Sequence, residues 1–305
     1  MKSITDEELV AAIEQRLKDK QQALGESEDL LRQLKRANQQ LEAAEKLKTR
    51  FLSNIRNQIN DPFGAILCLS ENMMQLDSSQ FDHVLAIASL IHREAFKLHF
   101  QLQNIFTAAD LEAGEVTLAP TQIDVASLIQ HVLATFRPAI LEKSLRVKAH
   151  GEPTSGPVTE NQPLFRTDAG KLKLILSNLL ANAIGFSEPG ETLEIAWSLR
   201  EALLQIRVSD HGSGIEEKHL EDIFNRFTQL NATPTRLHGG HGLGLSVVQA
   251  LLETMGGGIV VQSVPRQGSV FVVNIPELAP LDGEENFSDG STLFFDVTDR
   301  PYDQR

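Results

Sequence analysis

The sequence predicts an α+β protein: an N-terminal coiled coil and helical hairpin forming a dimeric four-helix bundle, then a two-layer α/β sandwich. Three observations carry this. Residues 6–50 contain no proline and one glycine, Gly25, among strong helix formers. Two later stretches repeat apolar residues at steps of three or four. From Ile123 onward, helical patterns alternate with short runs rich in β-branched residues.

The first 45 residues read as a coiled-coil helix. Leu17, Leu24 and Leu31 recur every seven residues, and Leu34 and Leu41 continue a second seam at the a-to-d spacing of two wrapped helices. Asn38 shares the seam of Leu31, where one buried Asn fixes register in a parallel pair. Residues 46–116 read as a helical hairpin. Its first helix carries Phe51, Leu52, Ile55, Ile59, Phe63, Ile66 and Leu67 on one wide apolar face, which suits a bundle more than a two-stranded seam. The second runs from Gln80 to Leu111 through Val84, Ile87, Ile91, Ala95, Leu98, Leu102 and Ile105, with Asp77 or Ser78 as its cap. Two hairpins from two chains complete four helices.

LEAGEVTLAPTQID, with Gly114 and Pro120, reads as a linker. Residues 121–276 form the second domain. Helices are expected over Val125–Leu141, Ala169–Ile184 and Leu245–Met255, and strands at TLEIAWSL, ALLQIRVS, GIVVQSV and SVFVVNIP. Residues 277–305 are acidic and Gly/Ser-bearing, the composition of a disordered tail.

Composition narrows the partners. The 28 Lys and Arg against 41 Asp and Glu give a net charge of −13, which argues against a nucleic-acid surface. A lone cysteine, Cys68, excludes an intrachain disulfide and a thiolate metal cage, and its place in AILCL predicts burial. No run approaches the roughly 18 apolar residues of a membrane helix, and MKSITDEELV carries acids where a signal peptide is apolar. No membrane insertion and a cytoplasmic location are expected.

Three segments of the second domain carry chemistry. In LILSNLLANAIGF, Asn178 and Asn182 lie four apart on one helical face, and an Asn oxygen is a hard neutral donor that can complete the octahedron of a phosphate-held Mg²⁺. In VSDHGSGIEE, Asp210 ends a strand before Gly212 and Gly214, and its carboxylate can accept from an exocyclic amine. In GGHGLGLSVVQALLETMGG, Gly239, Gly240, Gly242, Leu243 and Gly244 lead into a helix whose first amides are unpaired and suit phosphate.

Together, in this order, the segments resemble the ATP-binding domain of sensor histidine kinases, related to those of DNA gyrase, the heat-shock chaperone clamp and the mismatch-repair ATPases. The resemblance includes IFNRF, with Phe224 and Phe227, and the closing LLETMGG. It implies ATP and Mg²⁺ as cofactors, Asn182 as the Mg²⁺ ligand, Asp210 as the adenine reader, Phe186 in the base pocket and a lid from Phe227 to Gly240. Gly185 stands where the family usually has Lys or Arg, removing a phosphate-contacting cation, and His241 stands where it often has Thr.

Upstream, FLSNIRNQINDPFGAILCLSENM resembles the family's phospho-acceptor helix, with Phe51, Leu52, Asn54, Ile59 and Pro62 matching. Asn57 occupies the place of the phosphorylated histidine and Gln58 that of its acidic partner. An amide nitrogen is a poor nucleophile because its lone pair is delocalised, and an amide is no base for a ring proton. Asn60 and Asp61 replace the usual Arg and Thr. The resemblance thus implies a pseudokinase acting by conformational signalling or by binding a response regulator or partner histidine kinase. A second reading is an active kinase that uses His83, His92 or His99, or that phosphorylates a partner chain. An ATP-driven clamp is a third, opposed by the acceptor-type hairpin.

Overall fold

The computed structural model describes residues 16, 20, 25, 31–39, 42, 45, 53, 56, 59–76, 80–151, 164–226 and 242–279. They fall into two compact units, a helical one to Ala109 and an α/β one from Asp110.

In the helical unit residues 31–39 are helical, and Leu31 and Leu34 are exposed; Leu17, Leu24 and Leu41 lie outside the described residues. Helix α1 (59–74), with residues 53 and 56 also helical, contains Pro62, which is buried. It ends in a turn in which Gln75 and Leu76 donate to the carbonyls of Asn72 and Met73. The proposed caps Asp77 and Ser78 lie outside the described residues, and the Gln80 carbonyl accepts the first bonds of helix α2 (Phe81–Ala113), from His83 and Val84. Phe63, Leu67, Met74, Phe81, Leu85 and Phe106 are exposed in the single chain. Cys68 is exposed as well, against the burial its apolar neighbours predicted: with Leu67 it lies on the helix side this chain leaves uncovered. Among the described residues no helix is long and apolar enough to cross a membrane.

The linker read at residues 111–124 is partly structured. Thr121–Ile123 form strand β1, antiparallel to β3 (Phe165–Thr167). Asp124 then caps helix α3 (Val125–Glu142), its Oδ1 accepting from the Ala126 N–H at 2.9 Å. A five-stranded mixed sheet follows in the order β2–β4–β5–β7–β6, from β2 (Arg146–Gly151), β4 (Thr192–Arg200), β5 (Leu203–Asp210), β6 (Gly258–Val264) and β7 (Gly268–Pro276). Only β2 and β4 are parallel. Glu201 and Ala202, both at positive φ, make the two-residue β4–β5 turn, so Ala202 turns where a strand residue was expected.

Alternate residues fill one face of this sheet: Leu193 and Ile195, Leu204, Ile206 and Val208, Phe271, Val273 and Ile275, all buried. Helix α4 (Ala169–Phe186) packs against α3, β5 and helix α5 (Gly244–Thr254), and α5 packs on β6 and β7. Burying ten residues of α4 makes it the central element of the helical layer. Asp168 fixes its start: Oδ1 accepts from Lys171 N–H at 2.9 Å and Oδ2 from Ala119 N–H at 3.0 Å. Leu278 N–H donates to the Arg166 carbonyl and the Arg166 N–H to Glu277 Oε1, so the chain stays attached to β3 just beyond β7.

Candidate functional site

Asp210 is the last residue of β5, and the backbone around it is built for close approach. Its carboxylate Oδ1 accepts from the Gly212 N–H at 2.9 Å. A Cβ on Gly212 would lie 2.2 Å from the Phe186 carbonyl, and Ser187 and Gly212 form an isolated antiparallel bridge, so this turn meets the end of α4 directly. Gly214 has φ +64, and a Cβ there would lie 2.0 Å from the Val264 carbonyl. On the other side Gly268, at φ +102, would place a Cβ 1.9 Å from the Asp210 carbonyl. None of these three gaps admits a side chain.

Ser263 stitches the loop after Asp210 to the β6–β7 hairpin. Its Oγ accepts from Ile215 N–H at 2.8 Å and donates to the Gly268 carbonyl at 2.8 Å. The Arg266 N–H donates to the Ser213 carbonyl at 2.7 Å. Asp210 is only 6% exposed. Burial pushes its carboxyl above the ordinary range, against the pull of the Gly212 and Ser269 N–H groups and of nearby His211. The result is a desolvated acceptor at a strand end whose partners are mostly fixed main chain.

The two asparagines of α4 differ. Asn178 is buried, its Nδ2 donates to the Leu174 carbonyl at 3.0 Å, and its Oδ1 stands 2.6 Å from where a Cβ on Gly244 would be. It therefore occupies the space under the first residue of α5, which only glycine leaves open. Asn182, one turn on, is half-buried, and Phe186 at the end of α4 is 40% exposed. Gly242 has φ +66 and Leu243 is buried; both group with the other compact unit. Phe227 and Gly240 lie outside the described residues, as do Asn57 and Gln58. The structure thus gathers Asn178, Asn182, Phe186, Asp210, Gly212, Gly214 and Gly244 in one unit.

Among the described residues no cluster of three or more His, Cys, Asp or Glu could hold a metal unaided. A cation here would take one neutral oxygen, that of Asn182, and its remaining ligands from phosphate and water, which suits Mg²⁺. The close-approach glycines and the buried acceptor suit an adenine nucleotide.

Sequence reasoning missed Lys143. Its Nζ donates to the carbonyls of Ile184, Gly185 and Ser187 at 2.7, 2.8 and 2.9 Å. The available signal was negative: α4 has no basic residue in its last turn and no glycine after it to close its carbonyls.

Residues 167–279, the greater part of this two-layer domain, match the family of histidine kinase-, DNA gyrase B- and HSP90-like ATPases. The sensor histidine kinase AruS of Pseudomonas aeruginosa is 33% identical over 255 residues, covering 82% of this chain and 25% of that protein. The sensor protein GacS of Pseudomonas syringae is 30% identical over 276 residues, covering 88% of this chain and 29% of that protein. The chain therefore spans less than a third of either relative. The crystal structure of full-length ShkA in complex with AMPPNP superposes with a TM-score of 0.53 at 25% identity, over 77% of this chain and 46% of that one. Residues 167–279 belong to the family of histidine kinase-, DNA gyrase B- and HSP90-like ATPases, and most of the chain is similar in sequence to sensor histidine kinases.

Proposed function

We propose that this chain binds Mg-ATP and serves two-component signalling as a dimeric pseudokinase, passing on a conformational state or engaging a response regulator or partner histidine kinase. The observation that carries nucleotide binding is Asp210, a buried carboxylate presented by main-chain groups at a strand end. The ionised oxygen accepts from the adenine amine, and Phe186 offers an exposed ring to the base. Asn182 would hold Mg²⁺, which supplies charge neutralisation on the phosphates. The N-terminal amides of α5, which begins at Gly244, would take the phosphate charge. ShkA, solved with AMPPNP, supports this ligand class.

The silent acceptor rests on Asn57 and Gln58, which remove both the nucleophile and its base. The exposed Leu31, Leu34, Phe63, Leu67, Phe81 and Leu85 support pairing with a second copy, since one chain leaves them uncovered. Incubation of the purified chain with γ-labelled ATP and Mg²⁺ tests the reading. Binding without acid-labile label is expected; stoichiometric phosphohistidine overturns the pseudokinase. A second reading, an active kinase using another histidine, has one observation in its favour: His83, His92 and His99 are all exposed on α2. Transfer of label to a His-bearing, kinase-dead partner chain in a mixture would favour its heterodimer form.

A further inference from the structure

A helix leaves its last four carbonyls without intrahelical partners, and they carry the negative end of its dipole. At the end of α4 each of these has a distinct environment. The Ala183 carbonyl accepts from Ser187 N–H at 3.0 Å and Ser187 Oγ at 2.7 Å. Ile184 and Gly185 carbonyls accept from Lys143 Nζ. The Phe186 carbonyl abuts Gly212, so closely that a Cβ there would be 2.2 Å away. Lys143 Nζ also reaches past the helix end to the Ser187 carbonyl, in the residue that bridges to Gly212.

Lys143 is itself held. It is the C-cap of α3, its N–H donates to the Ala139 carbonyl at 3.2 Å, and its carbonyl accepts from Gly190 N–H at 2.9 Å, in the loop that follows α4. The stem is thus anchored at both backbone groups before the side chain extends. Three donated bonds from one nitrogen require the ammonium, because the neutral amine has only two N–H groups. Spread over residues 184, 185 and 187, they tie the last turn of α4 to the chain that leaves it.

We infer that Lys143 is a positioning residue for nucleotide binding: it fixes the C-terminal turn of α4, and with it Asn182 and Phe186, against the Gly212 turn that carries Asp210. The inference rests on the nucleotide reading of this same site. Lys143 touches no ligand in this scheme; it acts through the distance between two groups that must meet one ligand. The end of α4 meets the Gly212 turn at the Ser187–Gly212 bridge, and without the ammonium the carbonyls of 184 and 185 turn to water and the last turn frays. Ala183 and Ile184 in the same turn are buried, so displacements of this kind also touch the core, and the ligand geometry is read on folded protein.

The test is calorimetric titration of the full chain with Mg-AMPPNP, for wild type, Lys143→Met and Lys143→Gln. Each is measured at a temperature where circular dichroism gives its full native signal. Loss of affinity of about tenfold or more is expected for folded Lys143→Met, with a smaller loss for Lys143→Gln, which keeps two donors. A merely structural lysine would lower the melting temperature and leave the Kd of folded protein unmoved. Folded Lys143→Met that binds within twofold of wild type overturns the inference while the nucleotide reading stands. No binding by wild type overturns both. Failure of both variants to fold makes Lys143 a stability residue and overturns the inference too.

Discussion

Glycine has opposite meanings in the two units. Gly64 lies within α1, and a Cβ added there meets nothing within 4 Å. Gly212, Gly214 and Gly268, around the end of β5, would each drive a Cβ into a backbone carbonyl at 2.2 Å or less. Around Asp210 the main chain itself is the site, and no side-chain rearrangement can relieve the contact. At Gly64 the helix leaves open space for a side chain.

Paired alanine substitutions test this contrast at its largest. Gly214→Ala combines φ +64 with a Cβ 2.0 Å from the Val264 carbonyl. The left-handed backbone alone costs about 1–2 kcal/mol for a residue with a Cβ, and the clash adds to it. Loss of about 3 kcal/mol or more, or outright unfolding of the ATPase domain, is expected in urea denaturation followed by circular dichroism. Gly64→Ala should stabilise α1 by about 0.5–1 kcal/mol. Equal effects of the two substitutions would erase the contrast.

A second test addresses the chemistry that the constrained region holds. Burial raises the Asp210 carboxyl above its ordinary 3.8, so the folded state holds this proton more tightly than the unfolded state does. Its contribution to stability is therefore fully present below the ordinary value and is lost as pH rises through the raised one. Nucleotide affinity runs the other way, because only the ionised oxygen accepts from the adenine amine without competition from its own proton. AMPPNP affinity should climb with pH across the raised carboxyl range. Asp210→Asn should remove that slope and weaken binding by about 10- to 100-fold, as expected for a lost charge-assisted hydrogen bond. A slope that persists in Asp210→Asn would assign it to another group.

Much of the α/β domain was legible because its elements repeat. The strands at β4, β5, β6 and β7 carry β-branched residues over 7 to 9 positions, long enough for a pattern to form, and α3, α4 and α5 match the helices read from spacing to within two residues at either end. β1 and β3 have three residues each, too few to show a period, and one was read as linker. β2 is an edge strand, RVKAHG, whose apolar alternation is only Val147 and Ala149, both half-buried, too short a pattern to announce a strand. At the site, Asp210 and its glycines could be read because a carboxylate beside two glycines is unusual chemistry for a strand end. Spacing alone could not tell Asn178 from Asn182, since it put both on one face; packing shows that one lies under α5 and the other is half-buried. Lys143 was illegible because its three partners are carbonyls 41 to 44 residues away, and carbonyls carry no sequence signal.

Gly185 crosses the line between the two classes of glycine. It belongs to the constrained domain, in the last turn of α4, yet a Cβ there meets nothing within 4 Å, as at Gly64. Nothing in the packing requires glycine, so the absent cation is a chemical difference rather than a steric one. Lys at this position should therefore be tolerated, and should favour the helix by about 0.5–1 kcal/mol. Its ammonium would add one charge-assisted contact to a phosphate, and a gain of about three- to tenfold in affinity for ATP is expected from Gly185→Lys at low salt. Adenosine separates the two effects. If its affinity rises as much as that of ATP, the gain comes from a stiffer α4; if only ATP gains, and the gain fades with added salt, the cation acts on the phosphates. The first result would return Gly185 to the structural class.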